Sequence, residues 1–543
     1  GLVINRFSDS GIELFGTGRS IIEGNFIGTD VSGTIALGNA FAGVRLVMTS
    51  GVVIGGNTSQ ARNLISGNGR GISAGNEGRV TVQGNFIGTD ITGTVDLGNS
   101  GNGISLSGGT LHTIGGTSIG ARNIISGNDR AGFASTDAGE VLIQGNFIGT
   151  DVSGTSRLPN SGDGLSTSFQ GFYTVGGTTP GARNLISGNS GNGLAGRFST
   201  VQGNFIGTDI TGTRAIGNLL NGILQTDFGS SVIKGNLISG NGGGGVLVSA
   251  LQGAVQGNLI GTDVSGTLPL GNGGDGVRIS GINLVIGGLG AGEGNVIAFN
   301  SGAGVALAGV GVAPILSNSI YSNGGLGIDI GVDGVTPNDP CDGDRNNLSD
   351  IQNFPNLTSA FVVSGGVRIQ GSLNSTPNTA FVLQFFSNSA CDPSGFGEGE
   401  RLIGSTTVTT DANCEASFSL TFPAMALGQS ITATATSARN QTSEFSNCVA
   451  VLATAQAQIQ QLIQDVDSLA SQGELNVGEA NSLTAKLRAA LQQLERENTV
   501  AASGQIRAFI NQVQALVRSG RLSSIQGQNL IDGANSVLAQ IDL

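Results

Sequence analysis

The chain has 543 residues, 94 of them Gly, with a formal net charge of -13 and a pI near 4.5. Only 10 Pro exclude a collagen, and 38% hydrophobic against 11% charged residues excludes a disordered chain. The acidic balance, with lysine only at Lys234 and Lys486, excludes a nucleic-acid partner, because a phosphate backbone needs clustered Lys and Arg.

Trp is absent, Tyr is confined to Tyr173 and Tyr321, and His112 is the one histidine. Sugar stacking and acid–base catalysis therefore have few tools here. No stretch reaches the roughly 18 to 20 apolar residues that span a bilayer, and no charged segment followed by an apolar core opens the chain. Gly1 is accordingly expected to begin a fragment or a processed chain.

From the N-terminus the dominant signal is a repeat. Gly-Asn-(Phe/Leu)-Ile-Gly-Thr-Asp begins at Gly24, Gly84, Gly145, Gly203 and Gly257. A denser anchor, Gly followed by an apolar residue, recurs from Gly11 to Gly327 and divides each long repeat into two coils. Its shortest gaps are 23 residues, with β-branched runs such as Ser231-Val232-Ile233 between Gly/Asn turns. That is the period of a parallel β-helix, predicted over residues 1–334 with about twelve coils. At a strand spacing of roughly 4.8 Å the rod would be on the order of 55 to 60 Å long. Alternate coils carry insertions, one over Thr29 to Gly38 and one around Gly55 to Ala61, expected to stack as two ridges.

Stacked coils put like residues in columns. Ile27, Ile65, Ile87, Ile125 and Ile148 are assigned to the interior, and Asn25, Asn63, Asn85, Asn123 and Asn146 to a corner ladder. Phe26, Leu64, Phe86, Ile124, Phe147, Leu185, Phe205, Leu237 and Leu259 should point outward. Exposed, that stripe would be a groove for glycan, lipid or a partner chain; the preferred reading is a small core covered by the insertions, through Val31, Ile91, Val152, Ile210 and Val264. Asp30, Asp90, Asp151, Asp209 and Asp263 are read as turn-closing side chains rather than as calcium ligands or catalytic carboxylates. Arg62, Arg122 and Arg183 are candidates to pair with them across coils, and His112 is read as a surface or ridge residue.

After Asp333 the composition shifts. Asp339, Asp342, Asp344, Asn346 and Asp350 crowd oxygen ligands into one loop, which suits a hard cation such as calcium, although Asn353 stands where an EF-hand loop has its closing Glu; a plain acidic linker is the alternative. Residues 335–450 alternate as an antiparallel, Ig-like β-sandwich, with Cys341, Cys391, Cys414 and Cys448 forming two disulfides and implying export. Four cysteines allow three pairings, and spacing does not choose among them. From 451 to 543 the alphabet turns to Ala, Gln, Leu and Arg, with Leu469, Gly473 and Leu475 repeated as Leu516, Gly520 and Leu522, so four short helices should bundle. Leu483, Leu487, Leu491 and Leu494 are spaced for its core.

The segments GNFIGTDxxGTxxLGN, IGGTxxGARNxISGN, PNDPCDGDRNNLSDIQNFPNLTSA and ITATATSARNQTSEFSNC resemble those of bacterial secreted right-handed parallel β-helix proteins with CSLREA-type domains, over most of residues 1–450. The tail is similar to small helical modules appended to secreted bacterial hydrolases and adhesins. The resemblance implies an exported surface protein without a settled activity, with an N-terminal portion and cap beyond this chain. It also implies the pairings Cys391 with Cys448 and Cys341 with Cys414.

Repetition itself argues for a non-enzymatic extracellular structural or adhesive protein: a rigid rod, a sandwich cap and a helical attachment module. The unpaired edge of the first coil makes a head-to-tail filament of copies a variant. The partners expected are a second copy or a cell-surface glycan or protein. The alternatives are a polysaccharide-active, pectate-lyase-like enzyme, or a glycan-binding module using the Phe stripe. An enzyme would need unique carboxylates with a basic residue at a break in the repeat, and Asp137, Glu140 and Lys234 do not assemble such a set. Apart from the possible calcium, no cofactor is expected.

Overall fold

A computed structural model describes residues 1–541 apart from Glu77, Phe169, Asp227, Phe228, Leu251, Ile282, 310–312, 344–350 and Ser364. Up to Ile330 the chain winds into three parallel sheets of 12, 12 and 11 strands; each coil adds one strand to each sheet, except that the last adds to the first two only. The first sheet runs from Val3–Ile4 to Ser319–Tyr321, the second from Ile12–Phe15 to Ile328–Ile330 and the third from Ile21–Ile22 to Ile315–Leu316. This is the parallel β-helix that the repeat predicts.

The register shows why the repeat specifies it. Phe26 pairs with Leu64, Leu64 with Phe86 and Phe86 with Ile124, so each motif position lies on its counterpart one coil away. The isoleucines beside them, Ile27, Ile65, Ile87, Ile125 and Ile148, are fully buried in one continuous core. Four-residue strands of the second sheet alternate inward and outward, as in Ile72–Gly75 and Ile104–Ser107, so only every other side chain needs to be apolar. The motif glycines hold the corners. Gly88, at φ +91°, is in a conformation that L side chains rarely adopt, and a Cβ there would strike the Ser126 carbonyl and the Asn128 side chain.

Buried corners demand hydrogen bonds, and asparagine supplies them twice. Asn123 donates from Nδ2 to the Val82 carbonyl and to Asn146 Oδ1, both at 2.9 Å, while its own Oδ1 accepts from Asn85 N at 3.0 Å. This ladder runs from Asn25 through Asn146, Asn184 and Asn236 to Asn318. A second ladder, which the sequence reading does not anticipate, runs from Asn39 through Asn68, Asn99, Asn128 and Asn189 to Asn323. Its signal, the Leu-Gly-Asn and Ile-Ser-Gly-Asn endings, is visible in the chain but looks there like plain turns.

Beyond the coils seven strands form one mixed sheet: β1 (Asn356–Val363), β2 (Gly366–Asn374), β3 (Ala380–Asn388), β4 (Arg401–Thr409), β5 (Glu415–Phe422), β6 (Ser430–Ser437) and β7 (Val449–Leu452), in the order β4-β3-β6-β7-β1-β2-β5. The antiparallel sandwich predicted here is corrected in that detail: β1 and β7 pair in parallel, because the chain enters and leaves the sheet at neighbouring central positions. Cys341 is bonded to Cys414 and Cys391 to Cys448.

Four helices follow: α1 (Ala455–Ser471), α2 (Val477–Glu495), α3 (Thr499–Arg518) and α4 (Ser524–Ile541). The internal duplication appears as identical backbone closures. Glu474 N donates to the Leu469 carbonyl and Arg521 N to the Leu516 carbonyl, each at 3.0 Å, with Gly473 and Gly520 both at positive φ. Asn476 and Glu479 form a reciprocal capping box at the start of α2. Leu483, Leu487, Ile506, Phe509, Val513 and Val537 fill the bundle core, with Leu494 also buried and Leu491 partly so. None of the four helices, as described, is long and apolar enough to cross a membrane.

By compactness the chain divides into one unit of Gly1–Asn356, Leu373–Ala416 and Thr432–Cys448 and another of Leu357–Ser372, Ser417–Ile431 and Val449–Leu543.

Candidate functional site

The outward column on the first sheet is covered. Leu64, Phe86, Ile124, Phe147, Leu185, Phe205 and Leu237 form a buried cluster of their own, with Phe26 and Leu259 partly buried at its ends. Its cover is the row of insertion loops. Each loop bonds to its predecessor: Ile91 N to the Gly33 carbonyl at 3.0 Å, then Val152 to Gly93, Ile210 to Gly154 and Val264 to Gly212, each at 2.9 Å. Val31, in the first of these loops, is 78% exposed.

Within each loop the aspartate closes the turn. Asp151 Oδ1 accepts from Thr155 N and Ser156 N, both at 3.1 Å, and Oδ2 accepts the Ser153 hydroxyl at 2.7 Å. Asp30, Asp90, Asp209 and Asp263 repeat the arrangement. The Ser32 hydroxyl bond and the neighbouring backbone N–H groups hold the Asp30 carboxyl at about 2.

The arginines do not pair with these carboxylates, which corrects the sequence expectation. Arg62 lies over the Phe86 ring at 4.1 Å, Arg122 over Phe147 at 3.9 Å and Arg183 over Phe205 at 4.0 Å. Their Nε atoms donate to the carbonyls of Gly84, Gly145 and Gly203. The reason is local: the aspartate oxygens are already filled by their own loops, while the ring faces of the next coil are free to meet a cation.

His112 is also corrected. It occupies an inward position at the start of the strand His112–Gly115, opposite Val141, and is 2% exposed rather than a ridge residue. Nε2 lies 3.3 Å from the Gly108 carbonyl, and burial lowers the ring's affinity for a proton. Tyr173, opposite Val141 on the other side, is fully buried and donates its hydroxyl to Ser135 Oγ at 3.0 Å. Both of these chemically versatile side chains are sealed in the core.

Of the acidic loop residues, Asp344, Asn346 and Asp350 lie outside the described residues. Asp342 is buried, its Oδ1 accepting from Asn353 N at 3.0 Å and its Oδ2 from the Ser375 hydroxyl at 3.1 Å. Asp339 is tied through its backbone to the Asn353 amide at 3.0 and 2.7 Å. Asn353, which stands at the position of a closing EF-hand glutamate, thus stitches the loop together. No group of three or more His, Cys, Asp or Glu that could hold a metal occurs among the described residues.

An open groove does exist, on the outer face of the second sheet. Ser73, Ser105, Ala134 and Ser166 stand side by side in register, and with Asn102, Ser107, Thr136 and Arg70 they line a cavity of about 370 Å³. The Arg70 and Arg45 guanidinium groups each lie 5.1 Å from the Phe41 ring. Hydroxyls and one guanidinium can hydrogen-bond a polar ligand, and none of the described residues that line the groove is a carboxylate.

Fold and site together define a parallel β-helix protein with a disulfide-bonded sheet and a helical module. The family model described as FIMAH domain matches residues 459–539, within α1 to α4. The CSLREA-type resemblance of the coils rests on their motifs, with no matching family model behind it. A search of curated proteins found none that matches the chain.

Proposed function

We propose that this chain is a non-enzymatic, extracellular structural or adhesive protein, in which the β-helix is a rigid presenting scaffold and the helical module an attachment or interaction unit. One observation carries this reading: the recurring polar and aromatic residues are bonded to one another. The asparagines form ladders, the aspartates close loops, and the arginines stack on phenylalanines. Two disulfides suit an oxidising compartment, and the FIMAH match is compatible with a surface role. The test is to incubate purified protein with neutral and acidic polysaccharides, following chain length, and separately to measure its retention on bacterial and host cell surfaces. Retention without cleavage is expected; sustained depolymerisation by protein of native sequence, abolished by a groove mutation, would overturn the reading.

Glycan binding is the second reading, and it moves from the covered phenylalanine column to the groove at Ser105. There Ser105→Phe should abolish retention on a glycan surface while leaving the fold intact. A filament built by continuing the coil stack is weighed against by the last coil. Ser317 N is taken by Gln384 Oε1, Asn323 N by Glu398 Oε1 and Ile330 N by Glu444 Oε1, and Ile320 exchanges backbone bonds with Gly399. Calcium belongs to the proposal only through the loop at Asp339 to Asp350, and calorimetric titration of the full chain with calcium tests it.

A further inference from the structure

Buried charge collects at the C-terminal end of the β-helix. Glu444, 3% exposed, accepts the Ile330 N–H at Oε1 and the Thr336 N–H at Oε2, both at 2.9 Å. Ile330 ends the last strand of the second sheet, so its outward N–H has no further coil to bond, and the carboxylate supplies the acceptor. Glu398 does the same at the adjacent corner. Its Oε2 accepts from Ser322 N at 2.6 Å and its Oε1 from Asn323 N at 3.0 Å, closing the second asparagine ladder with a carboxylate where another amide would stand.

The charged groups acting on these two glutamates are acidic. Asp329, on the last strand, and Asp333, just beyond it, face Glu444, and Asp392 faces Glu398. Asp275 acts on Asp329 and is itself held by Arg278 at 3.1 Å.

We propose that Glu444 makes the junction between the last coil and the segment Thr432–Cys448 a pH-sensitive clamp, tight in acid and loosened as the medium rises to neutral. Burial first, then the Asp329 and Asp333 charges, push the Glu444 carboxyl up to about 7 from an ordinary 4.5, against the pull of its two N–H donors. Burial raises Glu398 and Asp329 as well. The sign follows from linkage. A carboxyl whose folded pKa is raised binds its proton more tightly when folded, so its contribution is most favourable below 4.5 and is lost as pH rises to about 7. Below that range the neutral carboxyl keeps an acceptor oxygen for a backbone N–H without a buried charge beside two others.

The experiment is hydrogen exchange of the full chain at pH 5.5, 7 and 8.5, each peptide referred to its own unfolded rate so that base catalysis cancels. Opening of residues 328–337 should rise by roughly tenfold or more across that range, as linkage predicts. Peptides around Asn146 should show no such rise. In Glu444→Gln most of the dependence at 328–337 should disappear, leaving the part that Asp329 and Glu398 contribute. A wild type without the rise, or a Gln variant that keeps most of it, overturns the proposal. If Glu444→Gln does not fold, since its new amide would face the Thr336 N–H, Asp333→Asn replaces it as the deciding variant. Removing that charge should move the midpoint to lower pH, and an unchanged midpoint overturns the clamp.

Discussion

Asn123 shows what a single residue does in this architecture. It is fully buried, and its side chain serves the Val82 carbonyl and the neighbouring asparagines on both sides. Asn123→Ala strands several buried backbone and amide groups at once, which should cost about 3 kcal/mol or more. Asn25→Ala, at the exposed end of the same ladder, should cost less; chaotrope unfolding of the two variants side by side checks this. Arg122 illustrates a residue whose role its spacing did not disclose. Stacked 3.9 Å above Phe147, it should not be replaceable by Lys without a loss of about 1 kcal/mol, because the planar guanidinium covers the ring and donates to Gly145 as well. A melting comparison of Arg122→Lys with Arg122→Ala measures how much of that loss belongs to the ring contact.

At the scale of elements, the insertion loops behave as a set. Each is closed by its aspartate, and from Ile91 onward each is bonded to the loop before it, so the row covers the phenylalanine column cooperatively. The Asp30 carboxyl lies at about 2 against an ordinary 3.8, so its stabilising contribution is present above about pH 4 and disappears as pH falls through 2. The first loop should therefore resist proteolysis at pH 5 and open only in strong acid, which limited digestion with an acid-active protease reads directly. Asp151→Ala, in the middle of the row, should expose Phe147 and Leu185 and raise binding of a hydrophobic dye at neutral pH. Unchanged dye binding would mean that the neighbouring loops hold the cover without it.

For the molecule as a whole, the disulfides and the coils stabilise different regions. Cys341–Cys414 and Cys391–Cys448 close loops of 73 and 57 residues, each worth about 4 kcal/mol by loop entropy. Reduction should therefore lower the stability of residues 335–450 while the coils keep their protection, because coil stability is summed from nearest-neighbour contacts along the stack. Exchange of reduced and oxidised protein, compared segment by segment, tests this.

The parallel β-helix was legible in the sequence because each coil sees mainly its neighbours, so a spatial column becomes a spacing in the chain. Ile27 with Ile65 and Asn85 with Asn123 are examples. The helical duplication was legible for the same local reason: Gly473 and Gly520 stop their helices through bonds a few residues away. Contacts between distant segments left no such spacing. The stacking of Arg122 on Phe147, the burial of His112, the parallel pairing of β1 with β7 and the capture of Ile330 by Glu444 each depend on which groups remain unfilled once the chain has folded. Local periodicity thus determined the architecture from the sequence alone, whereas the destination of each side chain that escapes the period was decided by the tertiary structure, where burial drives most polar groups to find a partner.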